Sequence, residues 1–352
     1  MKKLLKVLWA WFWSVSHFLD FYLWMRHKIS GSSSVVILLY HRVVPKKNNE
    51  KIFSLPGIVV HEDSFEKQMR FLSENYNVIP LNSFLEASEK QIALPPQTVV
   101  ITFDDGWEDN YLYAFPILKK YKLPATIFLT TGFIETKKLF WQEKVTFLVK
   151  KLFASPNILT ECFERKDIKE LQPLLDKLFE DVKSNQSWFK FIESLKFIGE
   201  TKRDIFITGL EVCLDNPELP EEENSFLKWE QIKEMKKYQI SFGSHGVSHE
   251  ILTEAGDDRI MGELELSKQL IEKELGVPVN IFSYPNGNYN EKIIKKLSQA
   301  GYESALTVEK GINTRANDLY CLKRINIHEG KFSNLKGIFS KKLFAIYLAC
   351  LL

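Results

Sequence analysis

Residues 98–106 read Thr-Val-Val-Ile-Thr-Phe-Asp-Asp-Gly, and the fold follows from how that stretch changes character after its sixth residue. Six β-favouring, nearly continuously apolar residues suit a strand buried on both faces, as in a parallel sheet. Two carboxylates and a glycine at its end mark a polar turn. Working outward, the pattern recurs. Runs at 35–40, 125–130, 240–244, 279–284, 303–308 and 322–327 read as further strands. Helical patterns separate them at 64–75, 111–121, 229–238, 259–275 and 291–300. Such alternation predicts an α/β fold with a parallel sheet. About seven strands without a glycine-rich nucleotide fingerprint favour a distorted (β/α) barrel over an open sheet.

The barrel is expected to span residues 35–330. Residues 140–226 break the alternation with stretches rich in Lys, Glu, Phe and Leu, read as a helical insertion in a barrel loop, either a lid or a surface decoration. Residues 4–25 are strongly apolar and, as a helix, would be roughly 33 Å long, enough to cross a bilayer core. Lys6, His17 and Asp20 fall near one side of that helix, which favours an interfacial, membrane-associating helix over residues 1–28. A spanning anchor and a signal peptide stay open as readings. Residues 29–34 read as a linker. Residues 331–352 form a basic-then-apolar tail, either a second membrane contact or a helix packed on the barrel. These ends predict a membrane-associated protein of the cell envelope, with the membrane face left open because basic residues flank the N-terminal helix on both sides.

The 352 residues are 45% hydrophobic and 26% charged, with a formal net charge of +2. This is an ordinary globular composition without an electrostatic footprint for nucleic acid. Cys162, Cys213, Cys321 and Cys350 are far apart and form no CxxC pair. Neither a zinc finger nor a disulfide framework is suggested, and scattered thiols fit a reducing compartment slightly better.

Four polar clusters each follow a predicted strand: Tyr40-His41-Arg42, Asp104-Asp105-Gly106, the run from His245 to His249, and Pro285-Asn286-Gly287. In a parallel barrel the C-terminal strand ends open onto one face, so clusters distant in sequence converge there. The i, i+4 spacing of His245 and His249 puts both rings on one side of a helical turn. With Asp105 they make three ligands and an open position, the pattern of a catalytic divalent metal site, zinc first. Zinc would make water acidic enough to act as a nucleophile near neutral pH. Asp104 would serve as general base, and the metal and a backbone N–H would stabilise an oxyanion. His41 is positioned to protonate a leaving amine. Taken singly, Asp-Asp-Gly is a common turn and His41 reads equally as a buried histidine bonded to backbone.

In their order, Thr-Phe-Asp-Asp-Gly, His-x-x-x-His and Phe-Ser-Tyr-Pro-Asn-Gly resemble the polysaccharide deacetylases, the carbohydrate esterase group that includes chitin, peptidoglycan and nodulation-factor deacetylases. The resemblance runs from about residue 35 to about residue 327. It implies a distorted barrel, a divalent metal (usually zinc), Asp104 as catalytic base, and Asp105, His245 and His249 as ligands. It further implies that Asn286, after Tyr284 and Pro285, supplies the backbone N–H at the oxyanion. The opening Leu-Leu-Tyr40-His41-Arg42-Val is similar to the subgroup acting on poly-N-acetylglucosamine and related exopolysaccharides, in which an N-terminal histidine is the general acid; this implies His41. The chain also departs from the pattern. Gly246 stands where Ser or Thr usually follows the first metal histidine. Ser283 stands where an arginine often precedes the proline by two, and Arg324 is a candidate to orient Asp104 instead. Ile-Asn-Ile-His328-Glu329 loosely imitates a late acid motif, which makes His328 a second candidate acid, although a surface histidine is its plainer identity.

The resemblance implies removal of N-acetyl groups from a polysaccharide or glycolipid. The partners expected are an N-acetylated glycan or lipid-linked sugar and a membrane surface, and no nucleic acid. The alternatives are an O-acetyl esterase or deformylase on a glycan or lipid-linked sugar, and a non-catalytic carbohydrate-binding relative. The intact set of Asp104, Asp105, His245 and His249 argues against the last.

Overall fold

Strand register decides where the polar clusters emerge. The computed structural model describes residues 34–155, 173–174, 176–177, 180, 188–218, 225–333 and 339–349. Strands β1 (Ser34–Tyr40) and β2 (Thr98–Phe103) pair in parallel over six positions, from Val35 opposite Thr98 to Tyr40 opposite Phe103. Every residue of β2 is buried, as its unbroken β-favouring run requires, and each large side chain so buried stabilises the fold by about 1.5–3 kcal/mol. Strands β3 (Ala125–Leu129), β4 (Ile240–Ser244), β5 (Ile281–Ser283) and β6 (Ser304–Leu306) follow in chain order, all parallel. The chain then closes the sheet. Leu322 bridges Leu306 of β6, and β7 (Ile325–Asn326) pairs in parallel with Leu38 and Leu39 of β1. The seven strands curl into the distorted (β/α) barrel that the alternation predicts.

The later strands are shorter than their composition suggests, because β-favouring residues continue after the backbone has left the ladder. Tyr284, for example, already belongs to a tight turn, with its carbonyl accepting the Gly287 N–H at 2.8 Å. The described helices are α1 (Glu62–Asn75), α2 (Leu81–Glu89), α3 (Phe115–Tyr121), α4 (Trp141–Phe153), α5 (Trp188–Leu195), α6 (Glu200–Cys213), α7 (Trp229–Lys236), α8 (Asp257–Leu275), α9 (Glu291–Gln299) and α10 (Lys341–Leu348). On α1, Phe65, Met69 and Leu72 share one face and are buried in the barrel core, the spacing of an amphipathic helix. The sequence reading missed α2, which is short, carries two serines and follows Pro80.

Contacts divide the chain into two units, one of Met1–Asn49, Pro56–Thr136 and Ser225–Leu352, the other of Glu50–Leu55 and Lys137–Asn224. All seven strands lie in the first. The second has its own core, in which Leu148 and Leu152 of α4, Phe191 and Leu195 of α5, and Phe206 and Leu210 of α6 are buried together. Cys213 is disulfide-bonded, a correction to the reading of four scattered thiols. In the C-terminal tail, Phe344, Tyr347 and Leu348 of α10 are buried in the barrel core, so this helix packs on the barrel. The apolar helix expected over residues 1–28 lies outside the described residues. Among the described residues no helix is long and apolar enough to cross a membrane.

Candidate active site

Because Tyr40 lies opposite Phe103, the residues that follow, His41 and Asp104, leave the sheet side by side, and the Asp104 N–H donates to the Tyr40 carbonyl at 3.0 Å. Leu129 opposite Ser244 does the same for Thr130 and His245, with the His245 N–H on the Leu129 carbonyl at 2.9 Å. Register thus carries residues of four strand ends to one place.

The adjacent aspartates diverge because Asp105 has a φ of +78°, a left-handed backbone that Asp tolerates better than most residues. Asp104 is buried and makes a two-pronged ion pair with Arg324: Nη1 donates to Oδ1 at 2.8 Å and Nη2 to Oδ2 at 2.7 Å. Ser283 Oγ donates to Asp104 Oδ2 at 3.0 Å and accepts from Arg324 Nη2 at 2.9 Å. Arg324 is itself fully buried and is steadied by a bond from Nε to the Thr307 carbonyl at 2.8 Å. Burial pushes the Asp104 carboxyl up, but Arg324, then His245, outweigh it and hold the group below the usual carboxylate range. A charge-assisted, bidentate pair of this kind fixes orientation as well as ionisation.

Asp105 accepts the Trp107 indole N–H on Oδ2 at 2.9 Å. Its Oδ1 is buried without a well-formed hydrogen bond, 3.4 Å from His245 Nε2 and 3.5 Å from His249 Nε2. The histidines do not sit on a helical turn. Residues 245–250 have no regular secondary structure, and Gly246 and His249 are left-handed, at φ +81° and +61°. The rings nevertheless approach to 5.1 Å between centroids, so an irregular loop achieves what the i, i+4 spacing suggested by another route. His245 Nδ1 lies 2.7 Å from the Ser283 carbonyl, which assigns the proton to Nδ1 and leaves Nε2 facing Asp105. Burial pushes the His245 imidazole down, but Asp104 and Asp105 together raise it above its ordinary value. The three residues offer ligand atoms within 4.8 Å of one another. An orphaned carboxylate oxygen facing two imidazole nitrogens fits a divalent cation, since no other group among the described residues satisfies that oxygen.

His41 follows β1 with its Nδ1 buried and, among the described residues, without a hydrogen-bond partner. Burial pushes its imidazole below the ordinary value, against the pull of Asp105 and Asp104, so it shares the electrostatic field of the cluster. Its carbonyl accepts from Asn110 Nδ2 at 2.7 Å. Three supporting residues, Trp107, Asp109 and Asn110, escaped the sequence reading. Arg42 lies 4.1 Å over the Trp107 ring and donates to Asp109 Oδ2 at 2.7 Å, and Asp109 in turn accepts from Val43 N–H and Asn110. Trp107 also stacks on Phe226 at 4.4 Å. The available signal was local: Trp107, Asp109 and Asn110 all fall within five residues of Asp105.

Tyr284 and Pro285 are buried and Asn286 is half-buried in the turn after β5. Asn286 has a φ of +58°, and its Nδ2 donates to Asn288 Oδ1 at 2.6 Å. Tyr284 bonds the Tyr320 carbonyl at 3.0 Å. His328 follows β7 and is half-buried; its neighbour Glu329 turns to α1, accepting the His61 N–H at 3.0 Å and the Ser64 hydroxyl at 2.9 Å.

The family described as Polysaccharide deacetylase matches residues 91–305, more than half of the chain. Over 318 residues the chain is 23% identical to YxkH of Bacillus subtilis (strain 168), whose name places it among the polysaccharide deacetylases; the alignment covers 90% of this chain and 79% of YxkH. It is 37% identical over 110 residues to a poly-beta-1,6-N-acetyl-D-glucosamine N-deacetylase of Staphylococcus aureus, an alignment covering 29% of this chain and only 38% of that protein. Among solved structures, the deacetylase PplD of Streptococcus pyogenes, in complex with acetate, superposes with a TM-score of 0.54 at 23% identity, covering 85% of this chain and 94% of that one. IcaB from Ammonifex degensii superposes with a TM-score of 0.56 at 18% identity, covering 90% and 97%.

Proposed function

Because the chain belongs to the polysaccharide deacetylase family, we propose that its barrel site hydrolyses the N-acetyl amide of an N-acetylated sugar in a bacterial exopolysaccharide or related glycan. The observation that carries this reading is the orphaned Asp105 oxygen between His245 and His249, beside an aspartate held ionised by a buried arginine. Asp105, His245 and His249 would hold a divalent metal, zinc by the donor set. When bound, it supplies Lewis acidity and lowers the pKa of water toward neutrality. Asp104, kept anionic and oriented by Arg324, accepts the proton of the attacking water. The water oxygen bonds to the acetyl carbon, the C–N bond breaks, and His41 donates the proton that the departing amine needs. The products are acetate and a free amino sugar. The backbone N–H of Asn286, with Tyr284 and Pro285 shaping its turn, faces the oxyanion in this reading. We further assign the enzyme to the cell envelope, associated with the membrane through residues 4–25; the disulfide at Cys213 favours the oxidising side.

Acetate release from N-acetylglucosamine oligomers by the full chain, with and without added zinc or cobalt, tests the reading. Zinc-dependent release supports it. A folded, metal-loaded protein that releases nothing moves the substrate to an O-acetylated or lipid-linked glycan. A folded protein that neither binds metal nor releases acetate sinks it. His41→Ala is expected to lower kcat by about 10²–10⁴-fold, the usual worth of a positioned acid, with bound zinc unchanged. Wild-type turnover in that variant removes His41 from the chemistry.

A further inference from the structure

The residue after His245 is glycine for a reason visible across the loop. A Cβ at Gly246 would lie 2.8 Å from Oε2 of Glu263, and the backbone there is left-handed. Glu263 projects from α8 and is 4% exposed. Its Oε2 accepts the N–H of Val247 at 2.6 Å and of Ser248 at 2.9 Å, and its Oε1 accepts the Ser248 hydroxyl at 2.6 Å. The preceding N–H, of Gly246, donates to Ser244 Oγ at 3.1 Å, and that hydroxyl lies 2.7 Å from Ser267 Oγ, one turn beyond Glu263 on α8. From the opposite side, the N–H groups of Thr131 and Gly132 donate to the carbonyls of Gly246 and Val247 at 3.0 and 2.8 Å. A loop without regular secondary structure therefore has its backbone groups satisfied from two flanking elements. Successive N–H groups beside a left-handed residue form a concave anion site, and here the anion is the protein's own.

We propose that Glu263 is the positioning residue of the candidate metal site: it fixes the loop that spaces His245 and His249, without touching metal or substrate. The proposal rests on the reading of Asp105, His245 and His249 as metal ligands. Its physical basis is the convergence of two half-buried N–H donors on one oxygen. A neutral side chain serves them less well than a carboxylate, and the loop relaxes to satisfy them. Metal–ligand distances tolerate only about 0.2 Å, so a relaxed loop binds metal less well.

Zinc affinity of the full chain, measured by competition with a chromogenic chelator, tests this in Glu263→Gln, Glu263→Ala and Ser248→Ala, with Glu265→Ala, exposed on the same helix, as control. The Glu263 variants are expected to bind zinc about 10–100-fold more weakly, the range for groups that support metal ligands. Ser248→Ala, which loses one of the three bonds, should fall between them and wild type. The cobalt-loaded Glu263 variants should show a shifted visible spectrum, and saturating zinc should recover most of the kcat of Glu263→Gln. Unchanged affinity and spectrum in Glu263→Gln overturn the proposal. So does a loss of affinity that only tracks a lower melting temperature of the metal-free protein. A wild-type protein that binds no zinc overturns the underlying metal reading instead, and is told apart by needing no variant.

Discussion

Replacing Asp104 by Asn is expected to lower turnover by about 10⁴-fold, the upper end of what a positioned base supplies, while zinc stays bound. Two effects combine in this variant. Asn cannot take a proton from water. In addition, its amide NH₂ meets an Arg324 donor in either orientation, because Arg324 now donates to both carboxylate oxygens and Ser283 to one of them, so the side chain loses its fixed orientation. Steady-state acetate release alongside zinc content checks this. Loss of zinc together with activity means that the roles assigned to the two aspartates are reversed. Removing the side chain in Asp104→Ala leaves the fully buried Arg324 unpaired and should destabilise the fold by about 3–5 kcal/mol. Acid reaches the same end in the native protein. The folded Asp104 carboxyl is depressed, so its stabilisation is complete above the unfolded value of about 3.9 and is lost as pH falls through the lower folded value.

His245→Ala is expected to lose zinc and activity together. Structural zinc sites bind with about 10–16 kcal/mol shared over four ligands, so one ligand is worth about 2.5–4 kcal/mol, or roughly 10²–10³-fold in affinity. The zinc-induced rise in melting temperature should vanish in this variant, and a persistent shift would place the metal elsewhere. Protons imitate the mutation. A ligating imidazole must be neutral, and His245 is raised above its ordinary value of about 6.5 in the metal-free protein. Zinc affinity should therefore fall as pH drops and recover as pH is raised again.

The barrel was legible in the sequence because a strand covered on both faces needs an unbroken run such as residues 98–103, and because polar residues clustered just past such runs. The candidate site was legible for the same reason: position relative to a strand end requires only the strand. What stayed hidden depends on backbone handedness and on partners far along the chain. Asp105, His249 and Asn286 all have left-handed backbones, and no composition rule announces that. A strained residue of this kind persists only when its surroundings fix it. Spacing alone suggested a helical turn between His245 and His249, whereas Gly246 and His249 turn the chain the other way. Glu263 lies on a different element and reads from the sequence as one more charged residue on an amphipathic helix. The strand expected at 322–327 joins the ladder only at Ile325–Asn326.

That brief final strand has a consequence for how the molecule comes into being. The segment from Leu322 to Asn326 bonds one edge of the sheet through Leu322 and the other through Ile325–Asn326, and between those points it delivers Arg324 to Asp104. Sealing the barrel and pairing the buried aspartate are therefore one event, performed by residues that follow the other six strands in the chain. A growing chain that has not yet emerged past Arg324 has neither a seam nor a counter-ion for its buried carboxylate.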